Sequence, residues 1–428
     1  MSLSSLSTLN SQLSNCVLCG TCRSVCPTFG VINREPASAR GKVSLCSAFL
    51  NKEITLSERF IKHINECVLC AACEENCPND VPVIDIILAA RQEIFKKGKT
   101  DFSRIAVSKF FGSEKIGRNA LKVASKIQNI FFKQVPEESG LHRRFPLPFV
   151  HGKRLAPRLA EKFFLEDRRQ KTEVRSKKDK SQPRIGFFAG CLINYIYPNI
   201  GEASLNVLEK AGAFVVVPLD QSCCGMPAIG IGDIEGAKRL ALKNLEAFEK
   251  YELEYIATAC ATCGDGLKKR FKELLADEGE DLQKRVENFS SKVRDITELL
   301  VNDLGIRQSP VSGLRSPVSI VTYHDPCHLS RGQGIKDEPR KLIEMSGHNF
   351  KEMKNPCKCC GMGGSFNITN YEFSMEINRK KALDIKSTGA DIAATTCPGC
   401  IMQIKDGLHQ LGVKAKVVHV VELITLNN

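Results

Sequence analysis

Eight cysteines near the N-terminus fall into two runs of the same spacing: Cys16-x2-Cys19-x2-Cys22-x3-Cys26-Pro27 and Cys67-x2-Cys70-x2-Cys73-x3-Cys77-Pro78. In a run of this kind three closely spaced thiolates each hold one corner of a [4Fe–4S] cube, and the fourth, after which proline turns the chain, ligates the other cube. Cys16, Cys19, Cys22 and Cys77 are therefore expected to hold one cluster, and Cys67, Cys70, Cys73 and Cys26 the second. Zinc is a poorer fit, because zinc sites rarely stack three cysteines at this spacing. Two cubes with crossed ligands lie close together, which suits a conduit for electrons better than a reaction centre.

Ten further cysteines form a second repeat. Cys191 and Cys223 are 32 positions apart, as are Cys327 and Cys359; Cys224 to Cys260 is 36, and Cys360 to Cys397 is 37. Each copy closes with C-x2-C, Cys260/Cys263 and Cys397/Cys400, so the period is near 136 residues and points to an internal duplication. Adjacent cysteines followed by glycine, Cys223-Cys224-Gly225 and Cys359-Cys360-Gly361, suit neither a disulfide, which is strained between neighbours, nor a zinc turn. Five thiolates per copy exceed what a cube needs, and a neighbouring pair can place one sulfur on one iron while the other bridges. An irregular, non-cubane cluster follows, with Gly225 and Gly361 allowing close backbone approach. The rival arrangement is one ordinary cube per copy with a spare thiol. Cys223, Cys224, Cys359 and Cys360, with His324 and His328 flanking Cys327, are the candidates for chemistry at these sites. Cys46 lacks a partner at ligand spacing and reads as a core residue, and Cys357 reads as a bystander beside the second pair.

The elements that must position these residues are legible around them. RIGFFAG, YIATA, SIVTYHDP and DIAATT precede cysteines as β-type runs, and helix-like stretches such as EASLNVLEKAG and IEGAKRLALKNLEAFEKY lie between. Strands alternating with helices imply a mostly parallel sheet whose ligands collect beyond the carboxyl ends of the strands. The fold class expected is α/β, with an α-helical two-cluster ferredoxin-like domain at the N-terminus and duplicated βα domains in the C-terminal half. The boundaries expected are 1–98 for the ferredoxin-like domain, 99–183 for a helical and extended connector containing PEESG, FPLPF and LAPRL, 184–305 for the first copy and 306–428 for the second. LSERFIKHINE predicts a helix before Cys67, and VPVIDIILAARQEIFKKG an amphipathic one after Cys77.

With 428 residues, 43% hydrophobic and 25% charged, the composition is that of a soluble globular protein apart from its 20 cysteines. MSLSSLSTLNSQLSN is polar and lacks the features of a signal peptide, and the apolar runs are too short to span a bilayer, which implies a reducing, cytoplasmic setting. The formal charge of +13 counts every cysteine as neutral. Thiolates on clusters move it roughly ten units towards zero, which argues against nucleic acid as a partner. EDRRQKTEVRSKKDKSQPR (166–184) reads as a solvated linker or a docking strip for an acidic partner or a membrane surface. GMGGSF (361–366) lacks the G-x-G-x-x-G frame of a dinucleotide site, so a flavin must reside elsewhere.

Taken together, CVLCGTCRSVCPTFGV, ARGK (39–42), CVLCAACEENCPNDV, AGCLINYIYPNIGEA, SCCGMPA, HDPCHLSRGQ and CKCCGMGGSF resemble the iron–sulfur subunit of glycolate oxidase and of related FAD-linked D-lactate dehydrogenases, over nearly the whole chain. The resemblance implies a FAD-containing dehydrogenase partner, passage of electrons through cubane clusters to one or two further clusters, and an acceptor such as quinone or another electron carrier. It also implies peripheral rather than spanning contact with the inner face of the cell membrane. The same cysteine-rich domain occurs in the catalytic subunit of heterodisulfide reductase, on non-cubane clusters. In glycolate oxidase subunits a copy can lack part of its closing C-x2-C, whereas both are complete here, so a disulfide-reducing enzyme is the alternative.

Overall fold

The computed structural model describes residues 6–112, 116–135, 140–145, 151–171, 182–306 and 318–425. Most of the basic strip 166–184, and of PEESG and FPLPF, lies outside these residues.

In the C-terminal half the short β-branched and aromatic runs form two four-stranded sheets. The first contains β1 (Arg184–Phe188), β2 (Phe214–Val216), β3 (Tyr255–Thr258) and β4 (Val293–Asp295); the second contains β5 (Ile320–Tyr323), β6 (Asn349–Phe350), β7 (Ile392–Thr395) and β8 (Lys416–His419). Their spatial orders are β2-β1-β3-β4 and β6-β5-β7-β8, and every pairing is parallel. The same order in both is the structural counterpart of the 136-residue repeat. Strands buried on both faces need unbroken apolar runs, and β7 is buried along its whole length. The two sheets share one core, in which Phe187, Ile193 and Ile296 of the first copy pack with Val321, Tyr323, Ile401 and Val420 of the second.

The N-terminal region is helical around its cysteine loops. The helix Glu58–Asn65 begins where the Ser57 side chain accepts from Phe60 N–H, and its Phe60 and Ile64 point inward. The segment after Cys77 forms a helix over Val83–Lys96, but it is buried nearly all round rather than one-sided. Ile86 and Ile87 enter the N-terminal core while Ile84 and Leu88 enter that of the first βα copy, with Phe248 and Phe271. This helix therefore joins the two regions. The polar-looking N-terminal stretch also contributes: Leu6, Leu9 and Leu13 are buried beside Val43, Cys46 and Phe60.

Between the regions run the helices Phe102–Gly112, Ile116–Phe131 and Phe164–Lys171, and a pair of short antiparallel strands, Phe132–Gln134 with Leu141–Arg143. Arg104 Nε donates to Ser365 Oγ at 3.1 Å and Arg154 Nη2 to Asn367 O at 2.5 Å in the second copy. In the first copy Ala160 N donates to Tyr195 O at 2.9 Å. The connector is thus fastened to both copies.

Asp295, at the end of β4, is wholly buried. Its Oδ1 accepts from Thr297 N at 2.9 Å and Thr297 Oγ1 at 2.5 Å, whereas Oδ2 has no partner among the described residues. Burial, outweighing these hydrogen bonds, raises its pKa to about 6. The folded state therefore binds this proton more tightly than the unfolded chain, and the stabilisation is full below the unfolded value near 4 and lost as pH rises through about 6. Asp295→Asn, which keeps the cap acceptor, is expected to remove up to about 3 kcal/mol of this pH dependence. Anaerobic denaturant unfolding at a series of pH values checks it: a variant whose stability still falls from pH 4 to 6 as in the parent contradicts the assignment.

Candidate iron–sulfur centres

The loops that carry the cysteines are fixed by the elements on either side. Cys191 follows β1, Cys260 follows β3 and caps the helix Ala261–Asp265, and Cys223 and Cys224 lie between β2 and the helix Met226–Ile231. In the second copy Cys327 follows β5, Cys359 and Cys360 follow β6, and Cys397 follows β7 to cap the helix Pro398–Gln410. Each set thus gathers at the carboxyl ends of three neighbouring strands, where parallel sheets place their ligands.

Within the first copy the sulfurs form a continuous chain of contacts: Cys191 with Cys223, Cys223 with Cys224, Cys224 with Cys263, and Cys263 with Cys260. In the second, Cys359 meets Cys360, Cys360 Sγ lies 3.4 Å from Cys400 Sγ, and Cys400 meets Cys397. Cys327 lies within range of the charges of Cys70, Cys360 and Cys397 and packs against the cluster of Val68 and Cys70. At the N-terminus, Cys16, Cys19, Cys22 and Cys77 line one hollow, with Cys73 on its edge, and Cys26, Cys67, Cys70 and Cys73 line the next. Eighteen of the twenty cysteines are thereby accounted for. Cys46 is apart from them in the N-terminal core, where burial pushes its thiol up to about 12 and keeps it neutral. Cys357 Sγ is 3.3 Å from Asp325 Oδ2, a carboxylate held by Arg340.

Two contacts were not legible from the spacing. Cys70 of the N-terminal module touches Cys359 of the second copy, and Cys397 of the second copy touches Cys260 of the first. The second of these is braced by Ala261 N donating to Thr396 O at 3.1 Å and by Thr262 Oγ1 at 3.7 Å from Cys397 Sγ. The four groups of thiols thus form a row: N-terminal pair, second copy, first copy.

The donor chemistry fits iron–sulfur clusters. The groups consist of thiols without carboxylates, half of them buried and all but Cys19 at least partly so. His324 lies with Cys360 and Cys400, the ligand atoms of all three within 4.8 Å of one another. Its Nδ1 is 3.2 Å from Pro356 O, and Nε2 is buried with no oxygen or nitrogen partner among the described residues. His328 points elsewhere: Nδ1 is 2.9 Å from Asp265 Oδ2 across the junction of the copies. Burial alone would lower its pKa, but the hydrogen bond to Asp265 and that carboxylate's charge hold it above the ordinary imidazole range.

Gly225 and Gly361 have φ of 80° and 91°, a left-handed turn that any other residue resists. A Cβ on Gly361 would stand 2.5 Å from Ser374 O, so the glycine admits the helix Tyr371–Thr388 against the cysteine pair. Its N–H also points to Cys359 Sγ at 3.3 Å.

Sequence reasoning missed the cations around the thiols. Lys42 is buried, donates to Ala37 O and lines the hollow of Cys26, Cys67 and Cys70. Arg91 donates to Cys67 O at 2.6 Å and to Gly230 O at 2.8 Å. Arg331 bridges the Cys70–Cys359 junction, donating to Cys70 O at 3.4 Å, Cys357 O at 2.9 Å and Glu75 at 2.6 Å. Lys381 donates to Asn355 O at 2.5 Å and Pro356 O at 3.0 Å beneath the second copy's pair. A signal existed: Ile377, Lys381 and Ile385 recur every fourth residue on the buried side of one helix, as Ile87 and Arg91 do on another.

At the far end of the row a cavity of about 280 Å³ reaches Cys191 and Cys223. Phe163, Leu165 and Tyr195 form apolar walls, and Arg118, Lys122 and Arg169 line it together with Glu166 and Asp220. The connector therefore builds part of this cavity, a role its sequence did not reveal.

Comparison with known proteins agrees with this chemistry. A cysteine-rich (CCG) domain matches at residues 185–268 and 321–405, and a 4Fe-4S dicluster domain at 12–81. The chain is 30% identical to the probable glycolate oxidase iron-sulfur subunit of Bacillus subtilis, over 96% of this chain and 93% of that one. It is 26% identical to one subunit of the dihydromethanophenazine:CoB–CoM heterodisulfide reductase of Methanosarcina mazei, over 96% and 93% respectively. Lactate utilization protein A of Oceanobacillus iheyensis is 30% identical over 56% of this chain and 96% of its own length. A crystal structure of a hypothetical protein from Helicobacter pylori shares the fold at a TM-score of 0.53 and 11% identity, covering 94% of this chain and 70% of that one. The chain carries several iron–sulfur clusters and is an electron-transfer component of an oxidoreductase. It belongs to the family of glycolate oxidase iron–sulfur subunits.

Proposed function

We propose that the chain relays electrons from a FAD-containing 2-hydroxy-acid dehydrogenase subunit, acting on D-lactate or glycolate, to an acceptor such as quinone at the cavity beside Cys191. The observation that carries this is the row of thiol groups joined by Cys70–Cys359 and Cys397–Cys260. Cys16, Cys19, Cys22 and Cys77 hold one [4Fe–4S] cluster and Cys67, Cys70, Cys73 and Cys26 the other. Cys191, Cys223, Cys224, Cys260 and Cys263 hold a further, non-cubane centre, and Cys327, Cys359, Cys360, Cys397 and Cys400 its counterpart. Bound there, iron–sulfur clusters supply one-electron storage and release.

The ends of the row differ in a way that supports its direction. Cys19 is exposed and flanked by exposed Val17 and Leu18, a face on which a flavoprotein can dock close to a cluster. At the other end the buried thiols of the first copy meet a cavity large enough for a small molecule. In this scheme residues 1–98 receive electrons, 306–428 pass them on, 184–305 deliver them, and 99–183 shapes the outlet. The complex works in the cytoplasm, against the inner face of the cell membrane. Disulfide reduction on this chain is not favoured, since a relative matched at 30% over 93% of its length is a probable glycolate oxidase iron–sulfur subunit, against 26% for the heterodisulfide reductase subunit.

The cations have a stated task here. Clusters on cysteine are net anionic, and Lys42, Arg91, Arg331 and Lys381 offset that charge inside the protein, where screening by water is weak.

Anaerobic purification from the native host is expected to bring a FAD subunit with the chain, and D-lactate or glycolate to bleach the cluster absorbance. A chain that arrives alone and is reduced by neither acid overturns the relay. Cys359→Ser is expected to abolish transfer to the acceptor while the N-terminal cluster signals in paramagnetic resonance persist; transfer at the parental rate rules out the proposed order. Lys381→Met removes one buried positive charge beside the second copy's centre, which disfavours its reduced state. A potential lower by about 50–100 mV for that centre alone is expected in a redox titration. An unchanged potential means that Lys381 serves the fold only.

A further inference from the structure

The helix Ile116–Phe131 is packed the wrong way round for a water-soluble protein. Its inward arc consists of Gly117, Leu121, Ser125 and Gln128, all buried. The arc is held by polar contacts: Gln128 Nε2 donates to Leu159 O at 3.0 Å, and Gln128 Oε1 accepts from Leu159 N at 3.0 Å. Its outward side carries Val123 and Ile130, 59% and 61% exposed, with Ile127 and Phe131 also exposed. At 3.6 residues per turn these four fall in one stripe roughly 100° wide. Arg144 N donates to Phe131 O at 2.8 Å, so the exposed Phe145 leaves the adjoining strand pair beside the end of this stripe.

The charges on the helix itself are basic, one of them, Lys122, paired with Glu166 of the neighbouring helix. From residue 115 to 135 the sequence has Lys115, Arg118, Lys122, Lys126 and Lys133 and no acidic residue; Glu114 precedes this stretch, and Glu137 and Glu138 come before Arg143 and Arg144. Lys126 is exposed along one margin of the stripe, and Lys133 is exposed just beyond it. An apolar helical stripe margined by exposed lysines is the kind of surface that lies in the headgroup layer of an anionic bilayer. The helix cannot span: among the described residues no helix is long and apolar enough to cross a membrane.

We propose that this face, the Val123–Ile127–Ile130–Phe131 stripe with Phe145 and the basic margin of Lys126 and Lys133, seats the protein in the plane of an anionic lipid surface. The inference stands on the helix surface and gives the membrane contact of the relay a place. Arg118 and Lys122 of the same helix line the cavity at Cys191 and Cys223, so the seated protein holds that cavity's mouth at headgroup level, within reach of a lipid-soluble acceptor.

The test is flotation of the purified holoprotein with vesicles of phosphatidylcholine mixed with phosphatidylglycerol, beside vesicles of phosphatidylcholine alone. Binding to the mixed vesicles, weakened by salt, is expected. Val123→Asp with Ile127→Asp is expected to abolish it, and Lys126→Glu with Lys133→Glu to weaken it by roughly tenfold or more, with cluster absorbance unchanged in both. A parent protein that stays in solution, or variants that float equally well, overturn the proposal. So does finding that Val123→Asp with Ile127→Asp leaves vesicle binding intact but releases the flavoprotein or a second copy of the chain, since the stripe is then a protein interface. Reduction of the clusters by D-lactate or glycolate is followed in the same samples. Its failure overturns the relay without touching the vesicle result.

Discussion

Cys70 and Cys359 come from modules nearly three hundred positions apart, and their sulfurs touch. Holding two anionic centres at such a distance inside a protein is costly, because both lose hydration and repel each other. Much of the surrounding structure answers that constraint. Arg331 lies across the junction with one guanidinium on both loops. The Val83–Lys96 helix places apolar residues in both cores, so the modules cannot part without exposing them to water. Lys380 Nζ adds a bond to Gly30 O at 2.8 Å on the other flank.

The sequence was most informative where chemistry demands a fixed spacing. Ligand sets of a cube and the recurring cysteine pair leave little freedom, so the grouping of eighteen cysteines and the exclusion of Cys46 could be read without coordinates. Strand existence followed from runs such as IVTY and IAAT, and the strand order that both sheets share accords with the duplication read from the cysteine spacing. Contacts that depend on how finished modules dock were out of reach: no local pattern marks Cys70 as the neighbour of Cys359. The leucines at 6, 9 and 13 were hidden by the serines between them, although their spacing marks one helical face. The helix after Cys77 was misjudged as one-sided, because a segment wedged between two cores is apolar on both sides. Lys42, Arg91 and Lys381 went unnoticed because lysine and arginine are ordinarily surface residues.

The two copies keep one topology and have diverged where it matters. His324, beside Cys360, follows the end of β5, whereas the matching position at the end of β1 is Phe188. On the helix behind each cysteine pair an asparagine holds the pair's backbone, Asn244 on Cys223 O and Asn378 on Cys360 O, and the second copy's helix adds Lys381 on Asn355 and Pro356. The second copy, packed against the N-terminal thiols, therefore carries the extra charge and the imidazole. The first copy faces a cavity and carries neither. A duplicated domain has become two unlike stations through a few side chains.

The burial of the thiols bears on how the molecule is made. Cys70, Cys73, Cys223, Cys224, Cys260, Cys263, Cys360, Cys397 and Cys400 are each less than one-tenth exposed. Apart from Cys223, which lines the cavity, these thiols lie behind closed surface in the folded chain, so iron and sulfide reach them most easily before the ferredoxin-like module closes onto the second copy. The two ends of the row are more open: Cys19 is exposed, and Cys191 and Cys223 line the cavity. Oxygen and repair alike have their shortest way in at these ends, and damage at the thiols between them is the harder to mend without reopening the fold.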